Sequence, residues 1–265
     1  MKPVPKKPST QFRDIAAGVA TLSIFLLLWE GVSRALGNPF LPGPYQVWLA
    51  LIRIVTVGDI DGYTLAENSA VSLYRVLLGF LAGAITAIPL GLLMGIKPIA
   101  RTAASPILEP IRFIPPIAWI PLSIVLLSGI SRFVFLIWIG VFFPVLLNTI
   151  AGVRRTNITL VNVAKTFGAS QGTIVRRIVF PSALPEIMTG LRVGLGIGWM
   201  CIMAAEMIGG DPVGLGRLIL KYANYLQIDV VIVGMITIGL IGLAMNYAII
   251  LIEKRMFRYR VDVST

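Results

Sequence analysis

The 265-residue chain has no histidine and a single cysteine, Cys201. The first absence removes the commonest metal ligand and the commonest general base. The second excludes an intramolecular disulfide and, with histidine also missing, argues against a zinc or haem site. Charge is scarce as well: charged residues make up 13% of the chain, and 12 are acidic against 23 basic. There is no G-x-x-x-x-G-K-[ST] phosphate loop, since the short run "GASQGTI" lacks the lysine such a loop needs. No nucleophile–base pair and no cluster of cysteines stands out, so an intramembrane enzyme has no chemistry to work with. The expectation is a protein with no catalytic residue, no metal and no cofactor of its own.

What fills the chain instead is apolar: 57% of residues are hydrophobic. About 20 consecutive apolar residues cross a bilayer as a helix. Val76–Ile96, Phe133–Val153 and Val230–Ile252 reach that length without one charge. The pattern predicts an all-α, polytopic membrane protein with six transmembrane helices at about 15–36, 71–96, 103–127, 133–153, 184–208 and 230–252. Residues 15–253 form one transmembrane domain between tails at 1–14 and 254–265. The first run follows the Pro/Lys-rich "MKPVPKKPSTQF" as a signal peptide would, but it is long and no A-x-A site follows, so it reads as an uncleaved span. Residues 37–48 form a Pro/Gly loop into a short amphipathic segment, and 209–229 a second polar loop.

Six spans return both termini to one side. Sixteen basic residues fall on the side of the termini and five (Arg34, Arg53, Arg132, Arg217, Lys221) on the other. Basic residues collect on the cytoplasmic side, so both termini are expected there. The net charge of +11 is read the same way rather than as a nucleic-acid surface.

The insert between spans four and five, which includes "VAKTFGASQGTIVRRIVFPSALPEI" at 163–187, is polar, basic and interrupted by prolines. Residues 159–180 read as two short helices meeting at a turn, with Ala164, Phe167, Ile174, Ile178 and Phe180 as apolar positions. Gly168 permits a sharp change of direction and Ser170 suits the N-cap of the following helix. Pro181 and Pro185 then end the amphipathic piece before the next span. Such a knob, with few long side chains, suits docking into a groove on another protein; a solvated basic loop is the alternative.

This stretch resembles the cytoplasmic EAA loop of ATP-binding-cassette (ABC) importer permeases, E-A-A, three residues, Gly, nine residues, I-x-L-P. Ala164 matches the last alanine, Gly168 the glycine, Ile178 the isoleucine and Pro181 the proline. Asn162 stands for the glutamate, Val163 for the first alanine and Phe180 for the leucine. "FLPGPYQVW", "RFIPPIAWIPLSIVLLSGIS", "FFPVLLNTIAGVR" and "LPEIMTGLRVGLGIGWMCIMAAEMIG" are similar to the nitrate/sulfonate/taurine branch of type I importers, and "YLQIDVVIVGM" looks most like the sulfonate or taurine permeases. The resemblance implies a bacterial inner-membrane permease for a small anion, a sulfonate such as taurine, with nitrate or bicarbonate as the alternative. It implies two permease copies, a separate ATPase subunit that binds ATP, and an extracytoplasmic substrate-binding protein. ATPase coupling falls to Asn162, Ala164, Gly168, Ala169, Ser170, Ile178 and Pro181.

Charge inside a span is costly and tends to face a bundle interior or a water-filled path. Glu109 and Arg112 lie three apart on one helical face, before the broken "IPPIAWIP". Arg112 suits an anion contact, because its guanidinium forks onto paired oxygens; an internal Glu109–Arg112 pair is the structural alternative. Pro115 and Pro116 unwind the helix there, to line a cavity or to kink for packing. Glu206 is placed at the outer mouth of the path or against the binding protein. Arg75, at the start of span two, is expected to snorkel to the headgroups. Gly190, Gly194, Gly196 and Gly198 allow close helix approach on span five. An ion-gradient transporter would show inverted repeats and carboxylates in broken helices; no repeat is evident, and Glu109 is the sole mid-chain candidate.

Overall fold

A computed structural model describes the backbone from Pro8 to Met256 and side chains from Arg13. Lys2, Lys6, Lys7, Arg258 and Arg260, which enter the charge asymmetry, lie outside the described residues. Among the described residues every regular element is helical: α1 (Pro8–Leu36), α2 (Pro44–Thr56), α3 (Leu65–Ile96), α4 (Pro98–Arg112), a 3-10 turn (Pro116–Trp119), α5 (Ile120–Leu126), α6 (Ile130–Arg154), α7 (Ile158–Thr166), α8 (Gln171–Ile174), a π segment (Val175–Val179), α9 (Phe180–Ile208), α10 (Leu215–Asn224) and α11 (Ile228–Met256). Five helices are long and apolar enough to cross a membrane, and a sixth crossing is made if α4 and the Pro116–Leu126 piece act together.

That third crossing, expected over 103–127 with the helix unwound at Pro115 and Pro116, is sharply bent at those prolines. The two pieces meet at 87°. A residue before proline is pushed out of the α region, and Ile114 and Pro115 both precede one, so the break falls at Pro115 with ψ near 137°. The second span starts earlier than residue 71, because Thr64 and Glu67 form a capping box that opens α3 at Leu65.

The core is α6 held between α3 and α9. Gly79, Gly83, Gly91 and Gly95 of α3 lie against Ile137, Val141, Thr149 and Val153 of α6, a constant offset of 58 residues that makes the two helices parallel. A Cβ on Gly91 would stand 2.6 Å from the Cβ of Thr149, so only hydrogen fits. On the opposite side, Gly198 meets Ile137 and Val141, and Gly190 meets Pro144, Val145 and Asn148. The numbering falls on one helix as it rises on the other, so α9 is antiparallel to α6. Lipid gives helices no hydrophobic reason to associate, so such close backbone contact supplies the packing energy. Gly196 has open space where a Cβ would go and takes no part in this contact.

The insert does not end in a break at its prolines. Gln171 to Ile208 is one continuous run. An α-helical Pro181 would clash with the carbonyl four residues back and leave it without a donor. The chain widens instead, with the Phe180 N–H donating to the Val175 carbonyl five residues earlier. The predicted polar loop at 209–229 also contains more structure than expected: Leu215, Leu218 and Tyr222 are spaced along one face and buried, and they make α10 a packed amphipathic helix.

Two helices end in the same hydrogen-bonded turn. At the end of α7, Gly168 N–H donates to Lys165 O (2.9 Å) and Ala169 N–H to Ala164 O (3.0 Å), with Gly168 at φ +74°. At the end of α10, Leu226 N–H donates to Ala223 O and Gln227 N–H to Tyr222 O, both at 3.0 Å, with Leu226 at φ +58°. This is the Schellman pattern, whose left-handed residue is usually glycine. A leucine there costs about 1–2 kcal/mol.

Candidate functional site

The insert forms a knob at one end of the bundle. Asn157 caps α7, its Oδ1 accepting from Thr159 N–H at 2.8 Å. Ser170 caps α8 through its Oγ, which accepts from Thr173 N–H at 3.3 Å. Val161, Ala164 and Ala169 turn inward onto a small core of Val153, Ile174, Val179, Ala183 and Ile187. That core fixes the knob to α6 and α9. Asn162, Gly168, Ser170 and Pro181 are exposed and Ile178 is half-buried. The outer face is not short-chained: Leu160, Val163 and Phe167 are exposed, Phe167 to 85%. At spacings of three and four they form one apolar stripe. Arg155 pairs with Glu186 beside it, linking the end of α6 to α9.

Arg112 lies elsewhere, lining an open cleft of about 350 Å³ with Phe113, Ile114, Pro116, Ile139, Gly140, Phe143, Pro144, Leu147 and Ile197. It is the one charged residue of that lining. Its Nη2 meets Glu109 at 2.7 Å and its Cζ sits 4.8 Å over the Phe113 ring, while its Nε is buried without a partner. The ion pair and the cleft position therefore coexist. Glu109 and Pro115 are exposed and outside the lining.

Glu206 is not among the residues that line that cleft, and it is sealed from solvent rather than set at a mouth. Its carboxylate accepts from Ser72 Oγ (2.9 and 2.8 Å), Arg75 Nη1 (2.9 Å) and Gly216 N–H (3.0 Å), and the residue is 1% exposed. Arg75 does not snorkel. It also reaches Val213 O (2.9 Å) and Asp211 (2.7 Å) and stacks 4.2 Å over Phe133. Arg132 closes the cluster on Asp211. A carboxylate placed here must be paired, because a lone buried charge costs far more than it returns. Ser72 Oγ and Asn68 Oδ1 accept from Leu215 and Gly214 N–H at 2.9 and 2.8 Å. Together with Glu206 they satisfy the free donors at the start of α10. Gly214, at φ +142°, lies so close to Glu206 that a side chain would overlap its carboxylate.

The other end of α10 is tied by Lys221, whose Nζ meets Asp59 at 2.8 Å and also pairs with Asp61. Asp59 in turn accepts from Asp61 and Tyr63 N–H, both at 2.9 Å. Both clusters escape sequence reading because their ion pairs join residues 79 to 162 apart. One signal was present: Asn68, Ser72 and Arg75 make a polar stripe at helical spacing in an otherwise apolar span.

The chain has counterparts among known proteins. Residues 87–258 match the family described as binding-protein-dependent transport system inner membrane component. The chain belongs to that family, the permeases of type I ABC importers. It is 32% identical to the taurine transport permease TauC of Escherichia coli over 95% of this chain and 92% of that one. A bicarbonate transport permease, CmpB, of Synechocystis is 33% identical over 91% and 88% of the two chains. The nitrate import permease NrtB of the same organism is 32% identical over 88% and 86%. Among solved structures, the inward-facing MetNI methionine ABC transporter superposes with a TM-score of 0.56 at 20% identity, covering 78% of this chain and 99% of the matched one. That likeness supports the permease fold.

Lys221→Met leaves Asp59 buried without its cation, which costs about 3–5 kcal/mol. Thermal unfolding of the purified protein should move down accordingly, and Asp59→Asn added to it should recover most of the loss. Burial alone would lower the Lys221 pKa, but the pairs with Asp59 and Asp61 outweigh it and hold the amine above its usual 10.5. A raised lysine stabilises below that value and stops doing so only as pH climbs past the folded one. Its contribution should therefore be constant from pH 6 to about 9; a steady decline over that range would contradict the pairing.

Proposed function

We propose that this permease imports a small anion, a sulfonate such as taurine, into a bacterial cell, and that it is driven by a separate ATPase that docks on the 158–174 knob. The observation that carries the coupling half is the knob itself. A Schellman turn at Gly168 sets Leu160, Val163 and Phe167 outward on a base that is locked into α6 and α9. Ala164 and Ala169 close that turn, Asn162 and Ser170 flank it, and Ile178 and Pro181 lie where the chain runs on into α9, so force applied to the knob moves α9 with it.

In this reading the knob end and both termini face the cytoplasm, the ATP is held by the partner, and two copies of the chain enclose the path. A substrate-binding protein approaches the opposite end. Arg112 presents a guanidinium to the cleft beside the bend, where Pro116 lines the wall. Half-buried in the wall of the cleft, such a fork favours oxygens of a sulfonate, nitrate or carboxylate over any cation. The breaks at Pro115 and Pro116 supply irregular backbone of the kind tolerated where a cavity is lined. Nitrate and bicarbonate remain the competing cargoes, because the relatives named for them are as similar as the taurine permease.

Gly168→Asp puts a side chain on a φ of +74° and a charge on the knob. The variant should insert normally yet lose the ATPase when the tagged permease is purified in mild detergent and its companions are identified by mass. Retention of the ATPase at wild-type level would remove the knob from coupling. Arg112→Ala should keep the ATPase and lower uptake at least tenfold, a loss of about 1.4 kcal/mol or more in the transition state for passage. Uptake at the normal rate would make Arg112 structural.

A further inference from the structure

The end of the bundle opposite the knob carries a feature that the packing does not explain. Leu226 sits at the left-handed position of the turn after α10, where glycine would be free of strain, and the residue is 60% exposed. Tyr225 beside it is 62% exposed. Neither side chain contributes to the hydrophobic core. The backbone strain therefore holds an aromatic and an aliphatic group outward rather than into the protein. The mounting beneath is stiff. The start of α10 is capped by Glu206, Ser72 and Asn68, and its last turns are held by Lys221 on Asp59. A polar rim completes the patch: Arg53 Nη2 donates to Gln227 Oε1 at 3.2 Å and lies 3.9 Å from Asp229.

A rigid, strained tip with an apolar centre and a polar rim is the anatomy of a protein contact, in which aromatic anchors dominate and rim charges set register. Strain held at an exposed position points to a binding role. We infer that the Tyr225–Leu226 tip is a contact point for the extracytoplasmic substrate-binding protein, with Arg53 and Gln227 as its rim. This rests on the proposed orientation, which puts the tip on the side from which that protein arrives. Family membership supplies the partner, since the transport system is binding-protein-dependent. The tip also reads out the state of the bundle. The cluster that caps α10 is shared by α3, α6 and α9, so a partner pressing on Tyr225 and Leu226 is linked through α10 to α6 and α9, the two helices that hold the knob.

The test uses the assembled permease–ATPase complex in lipid nanodiscs with its own purified binding protein, loaded in turn with taurine, nitrate or bicarbonate. Leu226→Gly removes the strain and the side chain together. It should leave basal ATP hydrolysis unchanged and the melting temperature equal or higher, while the binding-protein concentration for half-maximal stimulation rises at least tenfold. Tyr225→Ser should do the same without relieving strain. A photo-cross-linking amino acid at 225 should give an adduct with the binding protein, and the same group placed at 167 on the knob should give none. Normal stimulation in both variants, or adducts only with lipid or a second permease copy, overturns the inference. Should the wild-type complex show no stimulation by the binding protein at all, the proposed function itself falls.

Discussion

A carboxylate sealed at the end of α9 is the point on which this molecule is organised. Glu206 has almost no contact with solvent, and its charge is tolerated because Arg75, Ser72 and the Gly216 amide all donate to it. Those donors come from α3 and from the start of α10, and Arg132 on α6 joins through Asp211. Removing any one partner leaves charge or polarity stranded in an environment that cannot solvate it. The three helices are thus tied at one end by electrostatics that demand completeness. Along their length they are held by glycine contacts that demand close approach. Neither device depends on the hydrophobic effect, which has little to offer between helices in lipid.

The two ends of the bundle solve one geometrical problem with different residues. Each has a short helix closed by a Schellman turn, one with Gly168 and one with Leu226 at the left-handed position. At the knob the glycine leaves the turn unstrained, and the apolar groups that point outward come from α7 itself. At the far end the turn carries an outward side chain at a cost in backbone energy. Both turns sit on helices anchored to α9 or to its neighbours: α7 packs on the Val153–Ile187 core, and α10 on the Glu206 cluster. In the proposed function this is the mechanical link between ATP hydrolysis on one side and substrate delivery on the other. The π segment at Val175–Val179 lies where that link enters α9.

Much of this architecture is legible in the chain. Long charge-free runs give the crossings, and the Gly168 turn and Ser170 cap follow from residues two apart. Local rules suffice where the interaction is local. They fail at α10, where a stretch with four glycines, two aspartates, one arginine and one lysine looks like a solvent loop. Lys221 becomes a buried residue only because Asp59 and Asp61, far back in the chain, fold over it. Arg75 misleads for the same reason: a cation at the start of a span usually reaches for headgroups, and this one turns inward to Glu206. The prolines at 181 and 185 were expected to end a helix, and a widened turn absorbs the first of them. Arg112 lines the cleft and pairs with Glu109 at once, a combination that spacing alone leaves open.

The central claim is that the Leu160–Val163–Phe167 stripe is what the ATPase holds. Cys201 is the only cysteine and is buried, so a cysteine introduced at Phe167 is a clean chemical handle. A short thiol-to-amine cross-linker applied to the permease–ATPase complex in membranes should join position 167 to the ATPase, whereas a cysteine at Tyr225 in the same complex should not. Cross-linking from Phe167→Cys alone is the predicted result. A complex that holds its ATPase but gives no adduct from position 167, or gives one equally from position 225, would contradict the account.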